Sequence, residues 1–179
     1  MLRRRGTTVT LGCLALVFSS LVWAPAGQAG TGGHGAVTCT GDAHGRYDPP
    51  LALQSRETRI HADVRYTCTT APGRTTAATS SFHAVAPAAS CLSPTDATGT
   101  ETVHYADGGR SVIVIDSATT TRDAGVVLFV LQRGRVTEGR GEGHFVRRTV
   151  AAPPSQLPTD CLTSGLRSTQ SGVQLEILP

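Results

Sequence analysis

Glu138, Glu142 and His144 share the glycine-rich stretch GRVTEGRGEGH, and no other residues of the chain suggest chemistry so directly by type and spacing. A carboxylate beside an imidazole sets up proton transfer or holds a divalent ion. Glycines at every second position (Gly139, Gly141, Gly143) fit a sharp bend or bulge equally well, which is a purely structural role. Asp42, His44 and Asp48 make a second candidate, for a divalent ion, in the stretch GDAHGRYDPP, which reads as a loop. That stretch lacks the dense oxygen-ligand spacing of a calcium loop, so a turn cluster is the simpler reading. His61 and His104 fall on strand-like segments, where an outward histidine is ordinary polar surface. Ser, His and Asp are present without a G-x-S-x-G elbow, and no phosphate loop follows a strand. These residues predict no cofactor, no resident metal and no assigned catalytic group.

The elements that must position these residues read as strands. Thr58, Ile60, Ala62, Val64, Tyr66 and Cys68 alternate with Arg59, His61, Asp63, Arg65 and Thr67. That period of two gives one face to a core and one to water. Ala71-Pro72-Gly73 ends the strand, and a weaker one follows over Thr76–Val85. Glu101–Tyr105 and Ser111–Thr120 flank Asp107-Gly108, a hairpin signal. The apolar run from Gly125 to Gln132 reads as a buried central strand, and Arg135–Glu138, His144–Ala151 and Val173–Leu178 extend the sheet. No window offers a convincing helix. Eight or nine strands separated by turns predict an all-β fold, an antiparallel β-sandwich or Greek-key barrel.

The first 29 residues carry Arg3, Arg4 and Arg5, an apolar run from about Val9 to Trp23, and a small-residue exit at Gly27-Gln28-Ala29. That order predicts a secretory signal peptide over 1–29, followed by a flexible leader over 30–35 and a single β-domain over 36–179. The run is shorter than the ~20 apolar residues a bilayer span needs, so no membrane span is expected after cleavage. Cleavage changes the composition. Three of the 16 basic residues, all arginine, lie in the leader, leaving 13 to face the 13 acidic ones. The net charge of +3 thus falls to zero, which removes the basis for nucleic-acid binding. Trp23, the sole tryptophan, leaves as well, and with it the flattest platform for a sugar ring.

Cys13 also leaves, and Cys39, Cys68, Cys91 and Cys161 remain. An even number in an exported chain predicts two disulfides. Three pairings are open; Cys39–Cys68 with Cys91–Cys161 joins neighbouring segments without crossing and is favoured. No close Cys/His pair of the CxxC kind suggests zinc instead.

YDPPLAL at Tyr47–Leu53, ETVHYADGGRSVI at Glu101–Ile113 and GRVTEGRGEG at Gly134–Gly143, with the four cysteines, resemble a group of small secreted actinobacterial proteins of uncharacterised function. The likeness covers essentially the whole mature chain. It implies an exported, two-disulfide β-domain and carries no catalytic residue with it. YDPPLAL alone is similar to a YDPVL-type stretch beside the reactive loop of the subtilisin-inhibitor family, although residues 40–46 do not match that loop. The expectation is therefore a secreted, non-catalytic binding or surface-associated module whose partner is an extracellular protein or cell-surface component. A protease inhibitor presenting an exposed loop is the alternative. A small hydrolase using Glu142 and His144 comes third.

Overall fold

The strand β2 (Arg56–Ala71) shows how the sequence builds the sheet. Thr58, Ala62, Val64, Tyr66 and Cys68 are buried, while Arg59, Asp63, Arg65 and Thr67 between them are exposed. The chain then turns at Pro72-Gly73, where Gly73 adopts a positive φ of 70°, and returns antiparallel as β3 (Arg74–Ala89). The same step repeats through β4 (Thr98–Tyr105), β5 (Arg110–Asp123), β6 (Val127–Gly139) and β7 (Phe145–Ala152). The last strand, β8 (Leu166–Leu178), pairs with β7 and also with the first, β1 (Val37–Leu51), placing Ile177 opposite Val37. The result is a closed antiparallel barrel in chain order. This computed structural model describes residues 35–91, 96–123, 127–152 and 158–179; the expected signal peptide and nearly all of the leader lie outside them.

The all-β class, the eight antiparallel strands and the two disulfides agree with the sequence reading. The Greek-key crossing does not occur. Turns at Pro72-Gly73, Asp107-Gly108 and Gly139–Gly143 are too short to reach any strand but the adjacent one, so the order is a plain meander.

Four local expectations also change. The stretch GDAHGRYDPP is part of β1 rather than a loop, because its alternation continues through it, with Ala43 and Gly45 inside and Asp42, His44 and Arg46 outside. Gly41 permits this: a Cβ there would lie 1.9 Å from the Arg65 carbonyl oxygen. The run GVVLFVLQ is not a wholly buried central strand, since Phe129, Val130 and Leu131 are only half-buried; both faces of a closed barrel cannot be core. The final strand begins at Leu166, not Val173, and the five-residue α1 (Pro158–Leu162) precedes it where no helix was expected.

The outward faces carry mainly Arg, Asp, His and Thr, whereas most inward side chains are aliphatic. That is the reverse of a membrane-spanning barrel, whose outer band is apolar. Among the described residues no helix is long and apolar enough to cross a bilayer.

Inside the barrel, one aliphatic layer includes Val37, Val103, Ile113, Ile115, Val136, Leu175 and Ile177, with the Cys39–Cys68 bond among them. Cys39 and Cys68 are opposite residues of the β1–β2 pairing. A second cluster, around Leu51, Ala86, Ala118 and Leu166, gathers about the Cys91–Cys161 bond.

The interior also holds a fully buried polar group of five side chains. The Arg148 guanidinium faces the Glu101 carboxylate at 3.1 Å, with side-chain exposures of 3% and 0%. Tyr66 and Ser80 donate to the other Glu101 oxygen at 3.0 and 2.6 Å, and Arg148 donates to Gln132 at 2.5 Å. Burial, and then the nearby Glu101 charge, push the Tyr66 phenol well above its ordinary value, so it stays a donor.

Candidate functional site

The turn joining β6 to β7 contains the residues first suspected. Its three glycines, Gly139, Gly141 and Gly143, all have positive φ, which explains their spacing as backbone geometry. Glu138 is exposed and accepts a hydrogen bond from Arg110 across the sheet at 2.6 Å. Glu142 is exposed, and His144 is half-buried with Nδ1 lacking a hydrogen-bond partner. Glu138 is thus ion-paired with Arg110 on the exposed face of the sheet.

What the turn does instead is clip two hairpins together. Arg140 donates to both Asp107 carboxylate oxygens, at 3.0 and 2.8 Å, and stacks over the Tyr105 ring at 4.3 Å. Two runs of the sequence, YADGG and EGRGEG, meet at this point. The Arg140 hydrogen bond, with a second from the Gly109 amide, holds the Asp107 carboxyl below its ordinary value. A carboxylate so depressed adds stability that is present above its unfolded value near ~3.9 and lost as pH falls through the folded one. Denaturant midpoints should therefore drop below about pH 4. Asp107→Asn should shallow that drop without abolishing it, because Asp63 is depressed in the same direction. A variant retaining the full wild-type slope would remove Asp107 from the account.

Asp42, His44 and Asp48 lie along one outward line of β1, with Arg46 between the last two, and do not converge on a point. Asp48 faces Arg59 at 3.7 Å. Register then places His44 beside Asp63, and Asp42 beside Arg65. These residues belong to a larger polar grid spread over neighbouring strands. Arg46, His61, His83 and Thr100 form one row across β1 to β4; His44, Asp63, Ser81 and Thr102 form the next; Asp42, Arg65, Thr79 and His104 form a third. Gln170 of β8 extends the second row.

The grid is linked internally. Ser81 Oγ lies 3.0 Å from His83 Nε2, His83 Nδ1 lies 3.2 Å from His61 Nδ1, and His61 Nε2 lies 3.3 Å from Asp63 Oδ1. Arg46 donates to the other Asp63 oxygen at 2.6 Å. One proton arrangement satisfies the whole chain: Ser81 donates to His83, His83 to His61, and His61 to Asp63. Arg46 first, and His61 after it, holds the Asp63 carboxyl below its ordinary value. A cleft of about 830 Å³ lined by Asp42, His44, Arg65, Ser81, His104 and Gln170 lies on one side of this chain. A second, of about 510 Å³ and lined by Arg46, Arg59, His61 and His83, lies on the other.

The order Ser–His–His–Asp resembles a nucleophile with its base and orienting groups. Around Ser81, however, the backbone N–H groups lie in the β2–β3 and β3–β4 ladders. They do not point outward, where an oxyanion would need two donors. The arrangement is suited to recognition of polar groups.

His83 and Ser81 escaped notice as site residues in the sequence. The signal was there, because a strand pair folding back at Pro72-Gly73 puts His61 opposite His83 and Asp63 opposite Ser81. YDPPLAL, for its part, lies at the end of β1 with Leu51 buried, and Arg56 donates to the Pro50 carbonyl oxygen. The cavity beside Arg148, lined by Ala43, Ala62, Phe82 and Thr169, measures about 70 Å³. Pockets for organic ligands begin at roughly 300 Å³.

No protein family, curated protein or solved structure matches this chain.

Proposed function

We propose that the chain is an exported, non-catalytic binding module, and that the outer face of β8 and β1 to β4 is where its partner docks. The observation that carries this reading is the 830 Å³ cleft, which displays carboxylates, a guanidinium, imidazoles, hydroxyls and an amide from five adjacent strands. Its volume lies within the ~300–1,000 Å³ range of ligand sites. Asp63 is held by Arg46 and His61, Ser81 by His83, and the backbone beneath the cleft is fixed by the sheet ladders, so little backbone entropy is lost on docking. Such a mixed surface recognises a partner rich in hydrogen-bonding groups, as an extracellular protein or a cell-surface component is. Two disulfides are compatible with an oxidising destination.

The test compares the wild-type protein with Arg65→Glu/His104→Glu as baits in spent medium and cell-wall extract of the native host. Both substituted side chains are exposed, so the barrel should stay folded, which circular dichroism checks. Material held by the wild type should be lost from the variant by tenfold or more. Equal retention by both would move the docking surface elsewhere.

A further inference from the structure

We propose that His61 and His83 together form a binding site for a divalent transition-metal ion of the nickel, copper and zinc group, held through their two Nδ1 atoms. The inference goes beyond the docking reading and does not depend on it, because the ion needs only the two imidazoles and solvent.

The distance between the two Nδ1 atoms is 3.2 Å, with ring centroids 4.4 Å apart and planes tilted by 45°. Two neighbouring nitrogen ligands on an ion with bonds of ~2.0–2.1 Å sit about 2.9–3.4 Å apart, across the right-angled to tetrahedral range. The pair already has the separation a chelating ion requires. Its position is fixed by the sheet, since His61 and His83 are direct partners of the β2–β3 pairing.

The outer nitrogens supply a second, independent argument. A metal-bound histidine characteristically donates its other N–H to a carboxylate or similar acceptor, which fixes ring orientation and leaves the inner nitrogen free to ligate. His61 Nε2 lies against Asp63 Oδ1 at 3.3 Å, and Asp63 is itself anchored by Arg46. His83 Nε2 lies 3.0 Å from the Ser81 hydroxyl. Both rings thus have outer acceptors while their inner nitrogens face each other. In the proton arrangement that satisfies the chain, one proton sits between the two Nδ1 atoms. Metal binding moves that proton to His83 Nε2 through solvent, and the Ser81 hydroxyl turns from donor to acceptor. No net proton leaves the neutral pair.

Among the described residues no three His, Cys, Asp or Glu side chains form a complete ligand set, so the ion keeps open positions. His83 is exposed and the His61 side chain is 35% exposed, which leaves those positions to water or to a donor from a docked partner. Imidazole pairs suit nickel, copper and zinc rather than calcium or magnesium, which take oxygen ligands.

Calorimetric titration of the full chain with nickel chloride, and separately with zinc chloride, tests this directly. One equivalent should bind to the wild type with a micromolar constant. His61→Ala and His83→Ala should each weaken it at least tenfold, with His83→Gln as a bulkier replacement that preserves packing. Asp63→Ala, which removes the outer acceptor of His61 together with the Arg46 pair, should weaken it by about tenfold. His44→Ala and His104→Ala should bind as the wild type does. Wild-type protein that binds neither ion, or His61 and His83 variants that bind as tightly as the wild type, would overturn the proposal. A failed pull-down leaves this outcome untouched, because the titration contains only protein and metal.

Discussion

Arg148→Met should destabilise the barrel by about 3–5 kcal/mol, the cost of leaving a buried carboxylate without its counter-ion. Glu101 lies in the centre of the barrel with no exposure, and Arg148 is the cation that faces it. Tyr66 and Ser80 still donate to one carboxylate oxygen in the variant, but hydrogen bonds alone do not cancel a full charge in a low-dielectric interior. The second half of the experiment separates charge from packing. Glu101→Gln keeps an acceptor for Tyr66 and Ser80 while removing the charge, so Arg148→Met/Glu101→Gln should regain about 2 kcal/mol over Arg148→Met alone. Urea denaturation at neutral pH measures both. A double variant no more stable than the single one would show that lost packing of Arg148 against Phe82, 4.8 Å away, dominates instead.

The second large effect belongs to the Cys91–Cys161 bond. It closes 70 residues of chain, against 29 for Cys39–Cys68. Through the unfolded state those lengths correspond to about 4.4 and about 3.6 kcal/mol. Domains of this size are stable by only ~5–15 kcal/mol, so either loss is a large fraction. Cys91→Ala/Cys161→Ala should also loosen the cluster of Leu51, Ala86, Ala118 and Leu166 that gathers around the bond. Amide exchange should therefore accelerate there first, ahead of the layer around Ile113 and Leu175. Uniform acceleration through both layers would mean that the bond acts on the whole barrel and not on that end.

Much of the fold was legible because barrel strands repeat with a period of two. Thr58 to Thr69 alternates without a break, and Asp107-Gly108 marks its hairpin. The favoured cysteine pairing is also the one found. The errors have a common physical origin. Glycine, aspartate and proline in GDAHGRYDPP signal a turn locally, but pairing on both edges, with β2 and β8, keeps that stretch extended. Closure depends on Val37 meeting Ile177, and no local pattern announces a partner so distant. The polar grid was partly readable: His61 and His44 stood out, whereas Ser81 and His83 gain meaning only through cross-strand register. The Glu138–Glu142–His144 stretch drew notice for its composition, yet the Arg140 it also contains is the residue that reaches across to Asp107.

Pairing of the first strand with the last has a consequence for how the chain reaches this state. β1 is made before β8, so one of its edges has no partner until the chain has been made as far as β8. Such an edge is an open template for other chains, and contacts this remote in sequence form slowly. During that interval the β1–β2 hairpin, linked by Cys39 and Cys68, is a sheet fragment with one satisfied side and one adhesive side. The most hazardous moment for this protein is thus its assembly, and truncation just before Leu166 should yield aggregates rather than a smaller soluble domain.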